Sequence, residues 1–73
     1  MPITNPDKIY QFRRWVDQQD NRTALLAIAY ATLDYNDLIC TIRDFEHKTG
    51  EYQHRRDVCI AVLPYVDKTA FDD

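Results

Sequence analysis

Residues 24–33 read ALLAIAYATL, a run with no charge, no glycine and no proline, and how it is read decides the fold. Alanine and leucine are the strongest helix formers. Here apolar side chains surround the predicted helix on every side instead of marking one stripe along it. A helix that is apolar all round needs cover all round, so the reading expects a central rod wrapped by the rest of the chain or by a second copy. The run is about half the roughly 20 residues that a membrane-crossing helix needs, which points to no membrane span.

Working outward, the segment before this rod carries clear helix signals. Asn5 suits an N-cap, Pro6 the first helical position and Asp7 the positive end of the helix dipole. Ile9, Phe12, Trp15 and Val16 then recur at helical spacing. Residues 19–21 read as a break, with Asp20 or Asn21 capping a second helix over about 22–33. Residues 34–37 punctuate again, and Asp34 or Asn36 is placed to cap a third helix whose stripe is Leu38, Ile39, Ile42 and Phe45. Asp44 and Lys48 stand at a spacing that would let them pair on its outer face. The one glycine, Gly50, sits where a helix C-cap wants a left-handed residue.

From Glu51 a fourth helix would bring Tyr52, Cys59, Val62 and Val66 to one side, until Pro64, which lacks the N–H of a continuing helix, ends or kinks it. Residues 58–63 are also β-branched enough to form a strand, with 48–51 as a hairpin turn. The expected fold class is therefore all-α, a small bundle of about four short helices. Two helices plus a β-hairpin, an α+β fold, stand as the alternative.

At 73 residues the chain is one small domain, of a size that hides only about 60% of its extended-chain surface on folding. Small domains often gain a staple from disulfides, a metal or a partner subunit. The two cysteines, Cys40 and Cys59, lie among apolar neighbours and read as buried free thiols. Oligomerisation is the staple left, and a homodimer is expected. Charges within the first 19 residues occupy the place of a secretory leader's apolar core, so a cytoplasmic location is expected. Net charge is −3, with a slightly basic middle and an acidic end that reads as a frayed tail over 67–73.

Little in the chain points to chemistry. Cys40, His47, His54 and Cys59 are the soft or borderline ligands, but no close Cys-x-x-Cys pair is present to start a zinc site. There is no serine at all. The carboxylates Asp7, Asp20, Asp34 and Asp37 punctuate helix starts, where capping accounts for them. No enzyme, cofactor or metal is expected. Two surface readings remain. One is a nucleic-acid patch of His47, Lys48, His54, Arg55 and Arg56, in which Glu46 and Glu51 would face the phosphates. The other draws on one Trp, five Tyr and three Phe, more rings than so small a chain can bury. Tyr10 with Arg13 and Arg14, and Tyr52 with Arg55 and Arg56, combine the residue types enriched at interface centres. The resulting expectation is a non-catalytic protein–protein interaction module, a regulator or inhibitor. A nucleic-acid-binding regulator using 47–56, or a purely structural assembly subunit, is the alternative.

Overall fold

The computed structural model describes residues 3–68, and among them the chain is all helical, with no strand. Helix α1 spans Pro6–Asp17, α2 Asn21–Tyr30, α3 Tyr35–Glu46 and α4 Glu51–Val62; a single 3-10 turn, Leu63–Tyr65, follows. The hairpin alternative is not adopted. Residues 58–62 continue a helix, in which Val58, Cys59 and Val62 are buried where α4 packs on α2 and α3.

Three helix starts follow the capping logic of the sequence. The Asn5 side chain accepts from the Asp7 N–H at 2.9 Å, Asp20 from the Thr23 N–H at 3.3 Å, and Asp34 from the Asp37 N–H at 2.8 Å. Each satisfies one of the N–H groups that a first helical turn leaves without a partner. Helix α2 ends at Tyr30, short of the expected Leu33. Asp34 needs extended backbone (φ −73°, ψ 171°) to cap α3, so the chain unwinds over residues 31–33 to reach it. The Thr32 hydroxyl donates to the Ala29 carbonyl at 2.7 Å on the way.

Gly50 has another place than the expected one. His47 is the C-cap of α3, while Gly50, at φ 70° and ψ −135°, directly precedes α4. The reversal between the two helices needs a positive φ, which glycine takes without steric cost. Its carbonyl accepts the Gln53 N–H at 3.1 Å, and no side chain caps α4. At the other end Pro64 tightens the chain into the 3-10 turn, after which Val66 is extended.

The rod at the centre is α4, not the apolar run of α2. Val58, Cys59 and Val62 are buried, and α4 packs on both α3 and α2; α1 packs chiefly on α2 and on the 3-10 turn. Ile3, Phe12, Leu38, Ile42 and Val66 complete the core with Ala27 and Ala31. The Cα envelope measures 34 × 32 × 13 Å. So thin a body cannot sheathe an inner helix on every side. The small residues of α2, Ala27 and Ala31, turn inward and allow close packing, while Leu25, Ile28 and Ala29 turn outward.

Cys59 is fully buried as expected, but Cys40 is exposed. With Leu38, Ile42 and Phe45 facing inward, a rotation of 100° per residue carries position 40 to the outer side of α3. The anticipated Asp44–Lys48 pair is absent; Lys48 places its ammonium 4.7 Å from the centre of the Tyr52 ring. Of the acidic segment 67–73, residues 69–73 lie outside the described residues. Asp67 accepts from the Thr4 N–H at 3.2 Å and from the Thr4 hydroxyl.

Candidate interaction surfaces

On the outer side of α2, Leu25 is 68% and Ile28 52% exposed. They stand one helical turn apart and continue through Ala29 to Thr32, also exposed. The spacing i, i+3, i+4, i+7 is that of a core-facing stripe, yet among the described residues nothing covers it. Beside the stripe a groove of about 240 Å³ opens between α1 and α2, with Phe12, Val16 and Ile28 in its lining and Arg13 and Asp17 supplying opposite charges.

Tyr10, 63% exposed, lies on α1 with the Arg14 guanidinium 5.8 Å from its ring centre. Arg14 also lines a second groove with Trp15 and Tyr65, so Arg13 and Arg14 serve different sides of the helix. The first of the two tyrosine–arginine groups is thus only partly assembled: Tyr10 and Arg14 meet, and Arg13 belongs to the α2 groove. Trp15 stacks with Phe12 (6.1 Å between ring centres), and Tyr65 meets Phe12 edge-on at 5.6 Å. This cluster joins the 3-10 turn to α1. The sequence spacing within α1 shows Phe12 and Trp15 on one face, but nothing local places Tyr65 against them.

The second group gathers around Tyr52. Its ring lies 5.5 Å from Phe45, with Lys48 on it and Arg55 5.9 Å away. Arg55 also reaches Glu51 at 3.8 Å, and Glu51 takes Arg22 of α2 at 3.0 Å. The neighbouring Tyr30 hydroxyl is the main cause holding the Arg55 guanidinium more firmly protonated than usual. Arg56 pairs with Asp57 at 3.5 Å. Both arginine side chains are 36% exposed, and the Nε of each is shielded. His54 shares a hydrogen bond with the Thr23 hydroxyl at 3.2 Å, and the Thr23 hydroxyl in turn is the chief cause of the lowered pKa of Asp20. Of the five residues of the basic segment, only His47 and Lys48 have side chains without a hydrogen bond or ion pair to another described residue, and the Lys48 ammonium lies over the Tyr52 ring.

A third surface was not visible in the sequence. Between Lys8 of α1 and Lys68 lies a groove of about 440 Å³ floored by Ile60, Leu63 and Pro64, with Tyr35 and Val66 at its sides. Ile60 is 48% exposed, and the Lys68 ammonium stands 5.9 Å from the Tyr35 ring centre. Residues from α1, α3, α4 and the following turn form it, and their separation along the chain hides it from any local pattern.

Cys40 lies on the outer side of α3, while Cys59 is buried with its thiol pKa pushed up to about 11 by burial. His54 is tied to Thr23. Among the described residues no three of His, Cys, Asp and Glu are grouped to hold a metal ion. No described helix is long and apolar enough to cross a membrane. Comparison with known proteins found no significant match to this chain, whether a family model, a curated protein or a solved structure.

Proposed function

We propose that this protein is a small, non-catalytic interaction module that self-associates through α2 and acts as a regulator or inhibitor by occupying the surface of another macromolecule. The observation that carries the reading is the outward pair Leu25 and Ile28. Fully burying one such side chain stabilises by about 1.5–3 kcal/mol. More than half of that is still available at each position. Across a two-fold axis, four such side chains supply on the order of 5 kcal/mol. Association itself costs about 4 kcal/mol or more, so the expected dimer is reversible and concentration-dependent. Arg13 and Asp17 favour a second copy as the occupant, because a two-fold operation brings each charge toward its opposite.

The basic segment lends less support to nucleic-acid contact. Glu51 and Asp57 already engage Arg55 and Arg56, so phosphates would have to displace carboxylates that belong to the same helix. Tyr10 with Arg14 remains the best placed aromatic–cation pair for a different protein.

Sedimentation equilibrium over a range of concentrations tests the self-association. Wild type is expected to pass from monomer to dimer, and Leu25→Asp combined with Ile28→Asp to stay monomeric with unchanged helical circular dichroism. A wild type that is monomeric throughout overturns the dimer. Capture from the native host, with and without nuclease, tests the wider reading. Protein recovered despite nuclease, and lost with Tyr10→Ala or Arg14→Ala, supports it; recovery abolished by nuclease overturns it in favour of nucleic acid.

A further inference from the structure

We infer that the groove between Lys8 and Lys68 docks an acidic, apolar segment of a partner protein, inserting aliphatic side chains over Ile60 and Leu63 and setting carboxylates against the two lysines. The inference rests on the interaction-module reading and names the chemistry of its target; it does not depend on self-association through α2. Three observations converge on it. The chain as a whole is acidic, with 12 carboxylate residues against nine Lys and Arg, yet among the described residues two lysines and no carboxylate line this groove. The α1/α2 groove, by contrast, pairs Arg13 with Asp17. Neither Lys8 nor Lys68 makes an ion pair among the described residues, although Asp67 adjoins Lys68, because the Asp67 carboxylate is turned to Thr4.

The floor is the second observation. Ile60 is half exposed on the helix that otherwise forms the centre of the core, and Pro64 beside it is exposed as well. Pro64 lacks an N–H and Leu63 is held in the 3-10 turn, so the floor is preformed and little ordering is needed on binding. Size is the third. At about 440 Å³ the groove is larger than the other two. It falls within the roughly 300–1,000 Å³ typical of sites that enclose a ligand. Paired cations around an apolar floor select a segment carrying both features and repel a basic one.

The test uses the full chain, labelled with 15N, titrated with an acetylated, amidated amphipathic peptide of leucine and glutamate and with its lysine-for-glutamate counterpart. The glutamate peptide is expected to shift the amides of Tyr35, Ile60, Leu63 and Val66, to weaken with added salt, and to leave Leu25 and Ile28 unmoved. Lys8→Glu with Lys68→Glu is expected to lower its affinity at least about tenfold, and Ile60→Asp to do the same without altering the helical circular dichroism. Equal binding of the lysine peptide, shifts confined to the α2 stripe, or binding of anionic phospholipid vesicles in place of the peptide would each overturn the assignment. Loss of nuclease-resistant capture from the host would instead remove the interaction-module reading itself, so the two failures are distinguishable.

Discussion

The Asp67 carboxylate accepts both the backbone N–H and the hydroxyl of Thr4, joining residues 63 positions apart. On the inner side of this clip Ile3 is 1% and Val66 2% exposed, so the two chain segments that flank the helices are both part of the core. The clip lies at the surface and is charge-assisted, and such a bond contributes about 1 kcal/mol net. Asp67→Ala is therefore expected to lower Tm by about 4–8 °C for a domain of this size. Thr4→Val, which removes only the hydroxyl, is expected to lower it less. Calorimetry on the two variants and their combination checks this. Equal effects of both single variants would show that the backbone N–H contributes nothing.

The two thiols divide by position, and their chemistry follows. Exposed Cys40 is expected to react promptly with a thiol-specific disulfide reagent under native conditions, and buried Cys59 only at the rate of unfolding. Burial holds the Cys59 pKa at about 11, above the roughly 8.5 of an unfolded thiol. The folded state therefore keeps its proton where the unfolded state has lost it. This contribution to stability is complete below about pH 8.5 and declines as pH rises toward 11. Cys59→Ala is expected to be less stable at neutral pH, by about 1 kcal/mol for the lost sulfur contacts. Its stability should also fall less steeply than wild type in alkali. Denaturant melts at pH 7 and pH 10 provide the comparison, and parallel declines would contradict it.

Acid acts on the other side through Asp20. Hydrogen bonds from Thr23 hold its carboxyl below the ordinary aspartate range. The anionic cap thus stabilises α2 above the unfolded value, near pH 4, and that stability is lost as pH falls through the lower folded value. Asp20→Asn keeps an N-capping side chain and removes the titration, so its stability is expected to fall less than wild type between pH 5 and pH 2. Asp20→Ala removes the cap at every pH. Unfolding midpoints of the three proteins across that range would reveal the difference, and identical pH profiles for wild type and the asparagine variant would refute it.

Local signals explain what the sequence disclosed and what it hid. Asn5, Asp20 and Asp34 act within three residues of themselves, so their roles can be read from neighbours, and the starts of α1, α2 and α3 follow. Which helix lies at the centre is a different kind of fact. It depends on how four short rods share a slab 13 Å thick, and apolar content pointed to α2 when α4 took the place. The inward phase of α3, set by Leu38 and Ile42, was sufficient to turn Cys40 outward, a signal present in the spacing but outweighed by its apolar neighbours. Tyr10–Arg14 and Tyr52–Arg55 are near neighbours on single helices and were legible as pairs. The groove at Lys8 and Lys68 needed α1 to meet the 3-10 turn, for which no short-range pattern exists.

Gly50 tests the backbone directly. Nothing lies within 4 Å of a Cβ built there, so a larger residue meets no clash, and any cost comes from φ 70° with ψ −135°. That combination is nearly confined to glycine and costs other residues about 1–3 kcal/mol. Gly50→Ala is expected to destabilise by that amount, and Gly50→Asn, though better in the left-handed helical region, to recover little because ψ lies elsewhere. A neutral alanine variant by denaturant melt would mean that the reversal between α3 and α4 relaxes freely.

Ala27 and Leu25 turn the unusual phase of α2 into a single comparison. Ala27 is fully buried and Leu25 68% exposed, two positions apart on one helix. Ala27→Leu inserts a large side chain where α2 meets the core, and overpacking of this kind costs about 1–3 kcal/mol. Leu25→Ala removes a large side chain from a surface that the described residues leave exposed, and surface changes usually stay within about 0.5 kcal/mol. If a second copy covers the stripe, the cost of Leu25→Ala grows with protein concentration, while that of Ala27→Leu does not. Melts at dilute and concentrated protein therefore separate a helix merely exposed from one that a partner protomer covers. A large cost for Leu25→Ala at high dilution would contradict the outward orientation itself.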